Sequence, residues 1–252
     1  MNSLERVLAT VGGQPKDRPA LVLNLSLYGS KLTGTPLQSH YTDAKAYAEG
    51  QMAVREVFGP DLLLSPFLVP ALGEAFGSEA NSPRDQAPNI RRFAAASAAD
   101  ALRIPLPDVD SHPRLVYLRD SVRILAARYR GEVPVVGVLA SPIDIPPLVI
   151  GVEAWLEALL SEPDTARALL DRWTPLFLDL ANAMLGDGAT LIAATAIPAR
   201  VCVCITTRFS ADRVMWIAEC MMKPAKFTGF SPPAMTLPST SIFTRLEAVT
   251  SS

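Results

Sequence analysis

The sequence has few cysteines, few histidines and no clustered charge. Only three cysteines occur among its 252 residues, and all of them follow residue 200. We therefore expect no disulfide framework, and we expect a reducing, cytoplasmic location. The 23 Lys and Arg residues are scattered and balanced by 25 Asp and Glu residues, so we expect no basic surface and no nucleic-acid partner.

A long uninterrupted hydrophobic run is also missing, although the mean hydropathy is +0.23. The most apolar stretch, residues 133–151, contains Asp144 and four prolines. A membrane-spanning helix needs ~20 mostly apolar residues, and consecutive prolines would break it. Residues 1–13 include Glu5 and Arg6 and lack a long apolar core, so they do not predict a signal peptide. We therefore expect no membrane partner.

What is present is a large supply of core residues arranged in alternating patterns. Hydrophobic residues make up 49% of the chain and charged residues 19%, which is typical of a folded protein. Apolar runs that predict strands alternate with periodic stretches that predict helices, and such alternation is typical of a parallel α/β architecture. The predicted strands are 20–25, 61–66, 133–139 and 189–196, and the predicted helices are 3–11, 44–59, 114–130, 152–161 and 164–185.

Capping and breaking residues set the ends of these elements. Ser3 is the predicted N-cap of the first helix, and Thr42 or Asp43 is that of the second. Repeated Pro, Gly and Asn over 68–112 predict an irregular region with a strand or hairpin excursion.

Four stretches, taken in order, resemble a known superfamily. The first runs from Pro15 to Pro19 between a helix and a strand, and the others are 58–67, 131–142 and 151–171. Their order resembles the uroporphyrinogen decarboxylase and cobamide methyltransferase superfamily over about residues 1–192. The resemblance implies an α/β fold of the (β/α)8 TIM-barrel type, of which this stretch supplies the first four to five β/α units. Residues 193–252 are predicted to be a divergent tail.

The resemblance implies two reaction classes. One is the cofactor-free decarboxylation of uroporphyrinogen III in porphyrin biosynthesis, a carboxy-lyase reaction. The other is methyl transfer between a corrinoid and a thiol such as coenzyme M, with zinc activating the thiol. The substrate would then be a small molecule or a corrinoid protein.

Three positions that the decarboxylases use carry other residues here. Arginines would follow the first strand, but residues 24–34 contain only Lys31. An Asp would follow Ser65, where Pro66 stands, and a Tyr would occupy the position of Leu148. We therefore favour the methyltransferase-like branch and keep the decarboxylase as an alternative.

Residues at the carboxyl ends of the strands are the candidate site, because barrel enzymes place their active sites there. Asp144 lies in an apolar, proline-rich stretch, where a carboxylate is costly unless it is paired or used. We predict that Asp144 acts as a general base or cofactor partner. The alternative is that it caps a turn or helix. Tyr28 is the second predicted catalytic residue, and the predicted substrate-binding residues are Asn24, Ser26, Ser65 and Ser141.

The metal ligands that the resemblance implies, His-x-Cys and a distant Cys, do not occur at His40 or His112. Cys202 and Cys204 would share one face of a strand and could bind zinc with Cys220. Buried cysteines that only fill apolar space are the favoured alternative. The predicted site therefore contains no metal ligand.

Several other residues are assigned structural roles. His112, close to Asp108 and Asp110, is assigned to capping rather than to a metal loop, and His40 is expected on the surface. The aromatic residues Trp155, Trp173 and Phe177 lie on helical stripes and are expected in the core.

The tail after residue 193 predicts a third functional hypothesis. The last 25 or so residues are rich in Pro, Ser and Thr with no helical period, so they do not predict further β/α units. Truncation, a frameshift or a domain remnant would explain this. A partial barrel exposes sheet edges that favour pairing with another chain. A non-catalytic remnant that acts through a partner, or a homodimer, is the corresponding expectation.

Overall fold

Helices and short strands alternate through residues 1–195, the part of the chain that the computed structural model describes. The helices are α1 Ser3–Val11, α2 Tyr28–Thr33, α3 Leu37–His40, α4 Ala44–Phe58, α5 Pro70–Ala75, α6 Ala98–Ala101, α7 Pro113–Tyr129, α8 Ile145–Ile150, α9 Val152–Ser161 and α10 Pro163–Gly186. The strands are β1 Leu63–Leu64, β2 Glu79–Asn81, β3 Asn89–Arg92, β4 Val135–Ala140 and β5 Leu191–Thr195. The predicted division at residue 192 stays a prediction.

A parallel sheet in the order β1-β4-β5 forms the centre of the described residues. Leu64 lies opposite Val136, and Val136 in turn lies opposite Leu191. All six residues of β4 are buried, as expected for a parallel strand covered on both faces. The predicted parallel α/β arrangement is therefore confirmed for this part of the chain.

The predicted strand over residues 20–25 is wrong, because those residues form no strand. The backbone of Leu21 does not join a strand ladder. Its amide donates to Asp61 Oδ2 at 2.7 Å, and its carbonyl accepts from the Asp61 amide at 2.8 Å. Leu21, Val22 and Asn24 are exposed. Residues 1–195 consequently contain three parallel strands where four were predicted.

The irregular region contains the predicted hairpin. Strands β2 and β3 pair antiparallel, with Asn81 opposite Asn89. Helices α5 and α6 flank this hairpin in the chain. The excursion predicted from the Pro, Gly and Asn content is confirmed.

The cap of α1 corrects the prediction for Ser3. Asn2 is the N-cap: its side chain accepts from the Glu5 amide at 2.8 Å, and Glu5 accepts from the Asn2 amide at 2.9 Å. The Ser3 hydroxyl instead donates to Asp61 Oδ1 at 3.0 Å. Asp43 caps α4, one of the two residues predicted for that position.

Asp61 is the centre of a buried ion cluster at the amino end of β1. Its side chain is fully buried and accepts from Arg6 Nη1 at 2.7 Å and from Arg18 Nη1 at 2.6 Å. Arg6 also binds Asp17 with two of its nitrogens. The sequence from Pro15 to Pro19 thus supplies both signs of charge and ties α1 to the start of β1.

Aromatic side chains fill the core as predicted. Trp155, Trp173 and Phe177 are all buried, and the Trp173 ring lies 4.4 Å from that of Phe76, centroid to centroid. This contact joins α10 to the end of α5. Among the helices of residues 1–195, none combines the length and apolar character needed to cross a membrane.

Helices α2 and α4 approach closely at two glycines. A Cβ added to Gly29 would lie 2.7 Å from the carbonyl carbon of Gly50. This carbonyl carbon and the Gly50 Cα, at 2.8 Å, are backbone atoms, so neither can rotate away from the added Cβ. Only glycine therefore allows this approach.

We expect Gly29→Ala to destabilise the fold by about 1–3 kcal/mol, because the added methyl group forces α2 away from α4. Chemical denaturation followed by circular dichroism measures this change. Gly186→Ala is the matched control, since its Cβ would meet no atom within 4 Å. It should be neutral or stabilising by about 0.5 kcal/mol. Equal unfolding midpoints for the two variants would contradict the close approach.

Candidate functional site

The carboxyl edge of the parallel sheet holds the candidate site. β1 ends at Leu64, β4 at Ala140 and β5 at Thr195. The segments that follow β1 and β4 begin with Ser65 and Ser141. In open sheets and barrels of this class, ligands bind at this edge.

Ser141 and Asp144 form a buried polar pair directly after β4. Their residues are 2% and 1% exposed, respectively. The Ser141 hydroxyl donates to Asp144 Oδ2 at 3.1 Å, and the Asp144 amide donates to the Ser141 carbonyl at 2.9 Å. Asp144 occupies the N-cap position of α8, but its side chain makes no capping hydrogen bond. Helix capping therefore does not account for this carboxylate, whereas its two hydrogen bonds with Ser141 close the turn after β4, which is the structural alternative to a catalytic role.

The residues on either side of Asp144 in the chain are apolar and buried. Ile143 and Ile145 flank Asp144 and are 3% and 1% exposed. A carboxylate in such surroundings is costly unless it is hydrogen-bonded, and such groups are common at functional sites. Asp144 is thus placed as the sequence predicted, at the carboxyl end of a buried strand.

Ser65 has a different position from Ser141. Its hydroxyl accepts from the Val138 amide at 2.8 Å, and its own amide donates to the Val136 carbonyl at 2.8 Å. The strand register places Ser65 level with Gly137. Four residues of strand, about 13 Å, separate that level from Ser141. Ser65 therefore extends the pairing of β1 with β4, and the structure does not bring it to the Ser141–Asp144 pair.

The segment before α2 carries the other three predicted residues. Asn24 and Tyr28 are exposed, whereas Ser26 is buried. Tyr28 is the first residue of α2, and its ring packs edge-on against the ring of Phe58, with centroids 5.7 Å apart. Because residues 20–25 form no strand, these three side chains do not follow a strand end as predicted.

The prediction that His40 lies on the surface is wrong, because His40 is fully buried. Its Nε2 lies 2.8 Å from the Ser26 carbonyl oxygen, and its ring lies 5.0 Å from that of Tyr47. Burial lowers the pKa of His40 below its ordinary value. The polar sequence around His40 predicted an exposed loop. The nearby tyrosines Tyr41 and Tyr47, together with Tyr117, are the sequence feature that could have indicated a buried position.

Two of these tyrosines make hydrogen bonds to other parts of the fold. Tyr47 Oη donates to the Leu64 carbonyl at 2.9 Å, at the end of β1. Tyr117 Oη donates to the His40 carbonyl at 2.8 Å. Burial raises the pKa of Tyr41 to about 12, so these phenols stay protonated at neutral pH.

His112 has the structural role that was assigned to it. Its Nδ1 accepts from the Arg114 amide at 3.3 Å and caps α7. Asp108 Oδ1 accepts from the amides of Asp110 and Ser111, which is a turn rather than a metal loop.

The zinc ligands that the resemblance implied are not found in the described part of the chain. Within residues 1–195, no three His, Cys, Asp or Glu side chains come together as a metal site. The candidate ligands Cys202, Cys204 and Cys220 lie outside the described residues.

Comparison with known proteins assigns the family. The sequence pattern of the uroporphyrinogen decarboxylase (URO-D) family matches residues 2–199. The chain belongs to the uroporphyrinogen decarboxylase family. Curated relatives of this family member include the methylcobamide:CoM methyltransferase MtaA of Methanosarcina barkeri, 24% identical over 193 residues. The methylcobamide:CoM methyltransferase MtbA of Methanosarcina mazei is 27% identical over 193 residues.

These two alignments cover 75% of this uroporphyrinogen decarboxylase family chain and 56% of each relative. The chain thus spans a little over half the length of the curated relatives it matches. A solved structure, a methyltransferase from Methanosarcina mazei, superposes with a TM-score of 0.64 at 22% identity, covering 77% of this chain and 58% of that one. The predicted α/β fold of TIM-barrel type is confirmed.

Proposed function

We propose that this family member belongs to the methyltransferase-like branch and binds a methylated corrinoid or a methylated small molecule at the carboxyl edge of its sheet. The buried Ser141–Asp144 pair carries the proposal. A buried, hydrogen-bonded carboxylate between two buried isoleucines, in the turn after the central strand, supports a role as general base, because barrel enzymes hold their catalytic groups at this edge.

The names of the relatives support the choice of branch. MtaA and MtbA are both methylcobamide:CoM methyltransferases, so methylcobamide and coenzyme M are the first substrates to test. A corrinoid protein is then the proposed partner. Zinc finds no ligand set in residues 1–195, so no step of the proposal uses it.

The proposed roles follow from the exposure of each side chain. Asp144 acts as a base or a hydrogen-bond partner, and Ser141 orients it. Tyr28 and Asn24 are exposed and can contact a substrate directly. Ser26 and Ser65 are buried; Ser65 holds β1 against β4 by accepting from the Val138 amide, and Ser26 contributes through its backbone carbonyl, which accepts from His40.

The decarboxylase alternative has less support from the residues present. Leu148, at the position of the expected tyrosine, lies in α8, and its carbonyl accepts from Ser78 Oγ at 2.8 Å. A hydrocarbon side chain cannot replace a phenol. The segment over residues 24–34 offers one cation, Lys31, to a substrate with many carboxylates.

The test uses the purified 252-residue chain with methylcobalamin and coenzyme M. Loss of the methylcobalamin absorption band measures methyl transfer, and we expect Asp144→Asn to slow it about 100-fold, the usual range for a lost general base. Asp171→Asn, an exposed carboxylate on α10, is the control and should keep wild-type activity. Equal rates for the two variants would contradict the role of Asp144.

Two further measurements separate the alternatives. Turnover of uroporphyrinogen III without methyl transfer would favour the decarboxylase. Size-exclusion chromatography with circular dichroism tests the remaining hypothesis: a folded dimer without either activity would favour the non-catalytic remnant or homodimer.

A further inference from the structure

His40 connects the segment before α2 to the rest of the fold. The segment over residues 22–27 has an anchor at each end. Leu21 binds Asp61 on one side, and Gly29 packs on Gly50 on the other. Between these anchors, the Ser26 carbonyl accepts from His40 Nε2 at 2.8 Å. This hydrogen bond joins the backbone of residues 22–27 to α3, which ends at His40.

The tautomer of His40 follows from its partner. A carbonyl oxygen can only accept, so Nε2 carries a proton and donates it to the Ser26 carbonyl. The ring packs closely on Gly50, since its Cε1 lies 2.4 Å from where a Cβ on that residue would stand. A larger residue at position 50 would therefore collide with the imidazole.

We propose that His40 is a positioning residue that holds the segment with Asn24 and Ser26, and the adjoining Tyr28, in its conformation through the Ser26 carbonyl. Its effect on catalysis rests on the proposed function, but its effect on the segment does not. Tyr117 secures His40 in turn, because Tyr117 Oη donates to the His40 carbonyl. The segment is therefore linked through one imidazole to α7.

Acid should weaken this link. Burial lowers the pKa of His40, although hydrogen bonds with the backbone of Ser26 and Ala46 act in the opposite direction. A neutral buried histidine contributes stability above its ordinary pKa of about 6.5, and that contribution is lost as the pH falls below this value. The titratable or charged groups that the contacts place near His40 are Tyr41 and Tyr47, with rings 6.3 Å and 5.0 Å from the imidazole, Tyr117, which donates to the His40 carbonyl, and Arg114, which donates to the Tyr41 carbonyl. The three phenols stay neutral near pH 6, and Arg114 is paired with Glu74, so the titration belongs to His40.

The experiment compares two amides that differ by one methylene group. In His40→Gln the amide nitrogen reaches as far as Nε2 and can still donate to Ser26, whereas in His40→Asn it reaches only as far as Nδ1. Hydrogen exchange with mass spectrometry on the full chain measures peptides over residues 20–33, with peptides over α10 as the internal reference. At pH 7.5 we expect exchange in the 20–33 peptides to be about tenfold faster in His40→Asn and within about threefold of wild type in His40→Gln.

The pH arm uses the same peptides. After correction for the intrinsic exchange rate, wild type should lose protection over residues 20–33 between pH 7.5 and pH 5.5, and His40→Gln should keep it. Wild-type protection in His40→Asn would overturn the proposal. An equal loss of protection over residues 20–33 in His40→Gln and His40→Asn would also overturn it, and so would an equal loss of protection in the α10 peptides. Either result would assign the effect to packing rather than to the hydrogen bond. No substrate is present, so failure of methyl transfer leaves this result unaffected.

Discussion

We expect Asp61→Asn to lower the free energy of unfolding by about 3 kcal/mol, because it removes one partner of a buried ion cluster. Asp61 is fully buried and accepts from Arg6, Arg18 and Ser3. The asparagine cannot accept from all of these donors, and its amide group adds donors of its own. Arg6, whose side chain is 8% exposed, would remain buried beside a neutral group.

Urea unfolding monitored by circular dichroism measures this loss. The matched control is Asp171→Asn, the same substitution at a half-exposed carboxylate whose partner, Arg167, is 3.9 Å away. Exposed pairs of this kind contribute little, so we expect an unchanged midpoint. An Asp61→Asn variant as stable as this control would show that the cluster does not hold α1 to β1.

Acid should reproduce part of the effect. Burial alone would raise the pKa of Asp61, but the hydrogen bonds from Arg18, the Leu21 amide, Ser3 and Arg6 outweigh it and hold the pKa well below the ordinary value. A carboxyl whose folded pKa is depressed contributes stability above its unfolded pKa, near 3.9, and loses it as the pH falls toward the folded value. The stability difference between wild type and Asp61→Asn should therefore shrink progressively below about pH 4.

Trp173→Ala should have the largest effect, a loss of about 4 kcal/mol of unfolding free energy. Trp173 is fully buried in α10 and packs on Phe76 with ring centroids 4.4 Å apart. Truncation removes the apolar contact area and leaves a cavity that rigid helices cannot fill. Small domains have only about 5–15 kcal/mol of stability, so the variant should unfold at a much lower urea concentration.

The control for this prediction is Leu160→Ala on α9. Leu160 is 84% exposed, and its truncation leaves no cavity, so the urea midpoint should stay within error of wild type. If Trp173→Ala unfolds at the same urea concentration as Leu160→Ala, then α10 does not form part of the core described here.

The candidate site was predictable where it depends on a continuous strand. The apolar run that includes Val135–Ala140 predicts a buried β4, and the pair Ser141 and Asp144 follows it at the expected sheet edge. The site was less predictable around Ser26. Residues 20–25 have the composition of a strand, yet Leu21 finds hydrogen bonds on Asp61 rather than on a neighbouring strand.

The sequence by itself determined the five helices α1, α4, α7, α9 and α10, the parallel α/β arrangement and the family, because hydrophobic periodicity and ordered motifs are local properties. The helix predicted over residues 152–161 has those bounds in the structure. Only the tertiary structure decided which isolated polar residues are buried and which are exposed. His40 lies in a polar stretch, and its burial follows from Gly50, Tyr117 and Ser26, residues 10–77 positions away in the chain. Such a polar residue is buried only when distant elements supply its partners, and a local pattern does not contain that information.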